Sequence, residues 1–286
     1  MFGGLAVAGN LLCIAFTTSR GHLYLVDLDE QRLVSHWTWE GQDGNGDAGG
    51  VSIDRDHTIW VADQRNHCVR RFSPFGRSLQ VLGGDLEQSP GSVRSDRPGV
   101  LNRPRDVLVD GETVFVACGE RWLRCGVQCF DRSGSVMSPL RSLGDIEGRF
   151  GAPRGLALSK AGLFVADTQH GIVQRFRRDG TFLGRIEVST DGEHIARPVS
   201  VLADDRGSIL VADDGDEPGI RHVPLDRGVR DVELPSELGT VVALAGDLHE
   251  AFYALDGDHG AVHRFVPGTD GRPQHDELIF DLEEFG

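Results

Sequence analysis

The chain has 286 residues, of which 39% are hydrophobic, with 38 glycines, 12 prolines and a formal charge of −15. That hydrophobic content sustains a core and excludes wholesale disorder, and glycine and proline along the whole length point to many turns and short strands. The acidic balance excludes nucleic-acid binding through the bulk field, since that binding neutralises phosphates with an excess of Lys and Arg.

No stretch of 18 apolar residues is present, so no membrane-spanning helix is expected and no membrane partner is inferred. The apolar start, Leu5 to Phe16, is interrupted by Gly9-Asn10 and lacks a basic beginning and a small-residue cleavage site. It reads as a hairpin rather than a signal peptide. The five cysteines, Cys13, Cys68, Cys118, Cys125 and Cys129, are odd in number and do not form a disulfide scaffold. A reducing, cytoplasmic setting is therefore expected, for a whole protein or for a domain of a longer one. Cys118, Cys125 and Cys129 are spaced like no standard zinc site and are read as small buried apolar residues.

In chain order, a related apolar pattern recurs: TIWVAD at 58–63, TVFVAC at 113–118, GLFVAD at 162–167, SILVAD at 208–213 and AFYALD at 251–256. DQRNHCVRRF at 63–72, DTQHGIVQRF at 167–176 and DGDHGAVHRF at 256–265 align without gaps. Leu5–Ala8 and Cys13–Phe16 supply the first two strands of an amino-terminal copy. The second strands of the six copies end at 16, 62, 117, 166, 212 and 255, a spacing that suits four-stranded propeller blades. The fourth copy is the cleanest, with strands expected at Arg154–Leu158, Gly162–Ala166, Gly171–Phe176 and Thr181–Ile186 and an Asp179-Gly180 hairpin turn. Asp276–Leu282 is expected as the outermost strand of the last copy. The fold class is thus all-β, a six-bladed β-propeller of four-stranded antiparallel blades. It forms one domain over 1–286, with blades near 3–41, 42–97, 98–149, 150–196, 197–237 and 238–286.

These residues carry a resemblance. The run Pro153-Arg154-Gly155-Leu156-Ala157-Leu158, then Leu163-Phe164-Val165-Ala166-Asp167-Thr168, then Ile172-Val173-Gln174-Arg175-Phe176 resembles the NHL-repeat family of β-propellers. The resemblance extends to relatives that include a lyase cleaving hydroxyglycine peptides to amidated products. There it implies zinc held by histidines just after proline at innermost strand starts. Here those positions are Arg105, Arg154 and Val199, which removes the motif.

Strand alternation puts the blade-to-blade links and the second-to-third loops on one face, where binding is expected at the mouth of an axial funnel. Arg105 and Arg154 open innermost strands of blades 3 and 4, so their side chains are expected to converge there, with Arg103 and Arg197 adding charge at the rim. Guanidinium forks suit carboxylate or phosphate oxygens. The competing reading pairs each arginine with a nearby acid such as Asp106. His170 and His259 share one loop position, where blade 2 has Asn66, and serve either as ligand-binding groups or as turn residues. The repeated Asp63, Asp167, Asp213 and Asp256 are expected to accept hydrogen bonds from the turns that follow them. No cofactor is expected. Ca2+ is the one candidate, at Asp43, Asn45 and Asp47, although Ala48 stands where such a loop needs glycine. Two functions stay open. One is a binding module holding a small anionic ligand or a protein partner. The other is a lyase or hydrolase of the six-bladed propeller group acting on a small polar substrate.

Overall fold

The computed structural model describes residues 3–40, 45–83, 98–118, 126–137, 150–189, 196–224, 229–269 and 272–281. These residues form six antiparallel sheets, the blades of a β-propeller, and none of them is α-helical. Among the described residues no helix is long and apolar enough to cross a membrane. The chain divides into two compact units, Phe2–Pro153 with three blades and Arg154–Gly286 with three.

In the first unit, blade 1 runs Gly3–Ala8, Leu11–Thr17, Gly21–Asp27 and Arg32–Trp39. Blade 2 runs Ala48–Ile53, Ile59–Asp63, Cys68–Phe72 and Ser78–Gly83. Blade 3 runs Pro104–Asp110, Thr113–Cys118 and Gly126–Asp131, followed by a bridge between Phe130 and Val136; residues 138–149 lie outside the described residues. In the second unit, blade 4 runs Pro153–Ser159, Gly162–Asp167, Ile172–Phe176 and Phe182–Glu187. Blade 5 runs Pro198–Ala203, Ile209–Asp213, Gly219–Val223 and a two-residue edge, Arg230–Asp231. Blade 6 runs Val241–Gly246, Phe252–Asp256, Ala261–Pro267 and Pro273–Asp281. Strands pair strictly in sequence order within each sheet. The last strand begins at Pro273, three residues before the expected Asp276, because Pro267↔Pro273 and Val266↔Gln274 extend the ladder toward the hairpin.

The second strands explain the repeat. All five residues of Ile59–Asp63 are buried, since neighbouring blades cover both faces of the sheet. Ile59 and Val61 pack with Leu23, Leu25 and Trp39 of blade 1. Trp60, on the opposite side, packs with Val107, Val114, Val116 and Phe130 of blade 3. Ile209 and Val211 face blade 4 in the same way, and Leu210 and Ala212 face blade 6. A strand covered on both faces reads as a continuous apolar run rather than an alternating one. The innermost strands approach still more closely. A Cβ on Gly4 would lie 2.5 Å from the Gly49 carbonyl oxygen, and one on Gly155 would lie 2.6 Å from the Ser200 Cα, so both contacts require glycine.

Two histidine pairs join third and fourth strands. His22 Nδ1 lies 3.3 Å from His36 Nε2 in blade 1, and His263 Nδ1 lies 3.2 Å from His275 Nε2 in blade 6. Burial, reinforced by the partner imidazole, pushes His22 and His263 below the usual histidine range. A folded-state value below the unfolded one means that the unfolded chain binds protons first as the pH falls. The stability contributed by neutral His22 and His263 is complete above about pH 6.5 and is lost as acidification proceeds toward the depressed folded values. Thermal melts from pH 7.5 to 5 should show a falling midpoint, with a flatter profile in a His22→Gln/His263→Gln double variant.

Candidate functional site

In blades 2, 4, 5 and 6 the second strand ends in a carboxylate that gathers donors, whereas blade 1 has Thr17 and blade 3 has Cys118 at the strand end. Asp63 is fully buried and accepts from Trp39 Nε1 at 3.0 Å, Asn66 Nδ2 at 2.8 Å and Arg70 Nε at 2.7 Å, as well as from the Asp47 amide at 3.3 Å. Asp167 accepts from His170 Nδ1 and Gln174 Nε2, both at 2.9 Å. Asp213 accepts the amides of Arg197 at 2.6 Å and Gly215 at 3.0 Å. Asp256 accepts the Gly239 amide and His259 Nδ1, both at 2.7 Å, and the Asp258 amide at 2.8 Å. Burial pushes the Asp256 carboxyl up, but the hydrogen bonds from His259, Gly239 and Asp258 outweigh it and hold the group below the usual carboxylate range. The turn after the strand does supply donors, as expected from sequence. In blades 2, 5 and 6 a further donor comes from the chain entering the blade. Asn66, His170 and His259 share one repeat position and one task, so both imidazoles are engaged in the turn of their own blade.

Blade 3 departs from this scheme. Cys118 stands in the aspartate's place, pairs with Pro104 and is disulfide-bonded. This corrects its reading as a plain apolar residue. Cys13, Cys68 and Cys129 are buried free thiols, and Cys125 lies outside the described residues. Burial raises the Cys68 thiol to about 12, so neither nucleophile nor ligand chemistry is expected of it near neutral pH.

The arginines of the blade 2–blade 3 link gather around this departure. Arg105 Nη1 donates to Gln64 Oε1 at 2.5 Å. Gln64 is itself buried, and its Nε2 donates to the Ala48 carbonyl, which fixes Arg105 against the entry to blade 2. Asp106, the expected partner of Arg105, accepts the Val107 amide and packs its carboxylate where a Gly50 Cβ would stand. Asp47 lies close to the arginines. Burial and the charge of Asp63 push its carboxyl up, and Arg103, a Thr17 hydroxyl bond and Arg105 oppose the rise. Two guanidiniums thus act on one half-buried carboxylate. Arg154 opens the first strand of blade 4, in the other unit, and is half-buried there. Arg197 lies 3.8 Å from the Asp214 carboxylate, and its amide serves Asp213.

The expected Ca2+ loop is otherwise employed. The Asn45 carbonyl accepts Asn66 Nδ2, and Asp47 Oδ1 accepts the Thr17 hydroxyl. Asp43 lies outside the described residues. Among the described residues no group of three or more His, Cys, Asp or Glu side chains is placed to hold a metal ion.

The NHL repeat model matches residues 46–72, the segment that holds Asp63 and its donors Asp47, Asn66 and Arg70. The chain is a β-propeller that carries an NHL repeat. The chain is 29% identical to the peptidylglycine alpha-amidating monooxygenase of Rattus norvegicus over 155 residues, which are 51% of the chain and 15% of that relative. It therefore spans a small part of the relative's length. A chain of a nidogen–laminin complex superposes with a TM-score of 0.67 at 14% identity, covering 96% of this chain and 95% of that one. Virginiamycin B lyase from Staphylococcus aureus does so with a TM-score of 0.65 at 11% identity, covering 98% and 85%. Both likenesses show the fold alone. The zinc implied by the family resemblance does not fit the residues present. Arg105, Arg154 and Val199 hold the positions where histidine ligands were expected, and arginine remains protonated and cannot ligate zinc.

Gln64, His67 and the disulfide of Cys118 are the site features that sequence reading missed. For His67 a signal was present: it occupies the position of Gly171 and Gly260 in the gapless alignment.

Replacing Asp63 by Asn removes the charge that Arg70 and Asn66 share and turns an amide N–H toward donors. A loss of about 2–4 kcal/mol of stability is expected in urea unfolding, and Arg70→Met should recover part of it in the double variant. For Cys118, native alkylation followed by peptide mapping should leave it unlabelled until reductant is added, and reduction should lower the melting midpoint.

Proposed function

We propose that this NHL propeller is a binding module that takes up an anionic group at Arg103 and Arg105. The group belongs to a small carboxylate or phosphate ligand, or to an acidic side chain of a protein partner. One observation carries the reading: in a chain of net charge −15, two guanidiniums act on a single carboxylate, Asp47, whose own proton affinity is raised. A fork held by Gln64 is ordered before a ligand arrives. Binding of this kind needs no resident metal.

A second reading, a lyase-like enzyme acting on a small polar substrate, is favoured by the 155-residue likeness to the amidating monooxygenase. The arginines at the expected zinc positions weigh against it. For location, the disulfide at Cys118 supports an oxidising compartment over the cytoplasmic setting expected from the cysteine count.

Titration calorimetry with inorganic phosphate or succinate tests the first reading. Two charge-assisted bonds, less the ordering they require, correspond to a dissociation constant of about 1 mM. Arg105→Ala should weaken binding by roughly tenfold or more, and added salt should weaken it further. Equal affinity in wild type and Arg105→Ala would remove the proposal. Turnover of a hydroxyglycine peptide by the wild-type chain would favour the second reading.

A further inference from the structure

We propose that His67 is the positioning residue of the arginine pair, because it anchors the backbone amide of Arg103. The inference rests on the anionic reading of Arg103 and Arg105. In blades 2, 5 and 6 an aspartate at the end of the second strand accepts an amide from the chain entering the same blade. The donors are the amides of Asp47 at 3.3 Å, Arg197 at 2.6 Å and Gly239 at 2.7 Å. In blade 3 the aspartate is Cys118, held in a disulfide and unable to offer a carboxylate. The entering amide is that of Arg103, directly before Pro104, and Pro104 pairs with Cys118. This amide turns to the preceding blade and donates to His67 Nδ1 at 3.0 Å. An acceptor Nδ1 fixes the neutral imidazole with its proton on Nε2.

The backbone marks both ends of this bond as unusual. His67 has φ +53 and Arg103 has φ +46, in the left-handed region where a side chain is disfavoured. The repeat normally places glycine at the His67 position, with Gly171 at φ +67 and Gly260 at φ +72. A residue before proline is normally extended, and Ala152 and Arg197, the other two described residues that precede a proline opening a blade's first strand, are not in the left-handed region. A histidine that displaces the favoured glycine, joined to an arginine in a disfavoured pre-proline conformation, is strain held by a specific bond. That bond sets the direction in which the Arg103-Pro104-Arg105 segment leaves blade 2, and so where both guanidiniums stand relative to Asp47.

The test uses the full chain and compares wild type with His67→Gly, His67→Asn and Arg105→Ala. Glycine and asparagine both tolerate a left-handed φ, but only asparagine keeps an acceptor. Amide hydrogen exchange at Arg103 is read by NMR, and affinity is read by titration with inorganic phosphate. In His67→Gly, Arg103 exchange should quicken by about tenfold and phosphate should bind several-fold more weakly, with the melting midpoint kept. His67→Asn should stay near wild type in both measurements. Unchanged Arg103 exchange in His67→Gly overturns the anchor. Equal loss of phosphate affinity in the Gly and Asn variants with Arg103 still protected overturns it too, since the imidazole would then touch the anion itself. Should His67→Gly fail to fold, an unprotected Arg103 amide in His67→Asn has the same force. Failure of the underlying reading looks different: Arg105→Ala then binds phosphate as wild type does, whatever the His67 variants do to exchange.

Discussion

The architecture depends on a buried carboxylate at the end of the second strand. Taking an ion out of water costs several kcal/mol even after relaxation, so such a group persists only where donors replace its hydration. Asp63 collects an indole, an amide side chain, a guanidinium and a backbone amide. Those donors come from the fourth strand of blade 1, the turn after the second strand, the third strand and the chain entering blade 2. One anion thereby fixes four segments that the hydrophobic core alone leaves free to slide. Apolar packing holds the blades together, and in blades 2, 5 and 6 the carboxylate sets where the blade begins.

This division of labour explains why most of the fold was legible in the sequence. Burial on both faces forces a continuous apolar run such as Ile59–Ala62, and a donor-gathering aspartate follows it in four of the six blades. Periodicity and the terminal Asp therefore report the same constraint twice. Turn chemistry was legible for a local reason as well: Gly180 has φ +90, and its amide returns to the Arg177 carbonyl within the hairpin. The edge strands were less well defined. Arg230–Asp231 and the start of Pro273–Asp281 depend on ladder bonds that extend only as far as the hairpin geometry allows, and no burial pattern marks their ends.

The candidate site was only half legible. The guanidiniums could be named, because a charged residue directly after proline at a strand start is conspicuous. Their partners could not, since Gln64 and Asp47 come from the neighbouring blade and the sequence separation of Arg105 from Gln64 is 41 residues. Asp106, suggested by adjacency, accepts the Val107 amide next to it on the strand. The cysteine count misled for a related reason. An odd total requires at least one unpaired thiol and says nothing about the others, so it never excluded a single disulfide at Cys118.

A repeat architecture locates individuality by subtraction. Residues that recur in register, such as Asp63, Asp167, Asp213 and Asp256, answer a demand shared by blades 2, 4, 5 and 6, and their chemistry is consumed by the scaffold. A site specific to one blade has to be built from what does not recur. Among the described residues such departures meet at the blade 2–blade 3 boundary: a cysteine where the aspartate belongs, a histidine where glycine belongs, and an arginine in a left-handed conformation before proline. The first removes the usual anchor for the incoming chain and the second supplies another acceptor. The third is the strained conformation that results, and it carries one of the two guanidiniums whose charge acts on Asp47. Each substitution alone would lower stability. Linked in one hydrogen-bonded path, they give this boundary a geometry that the regular repeat cannot reach.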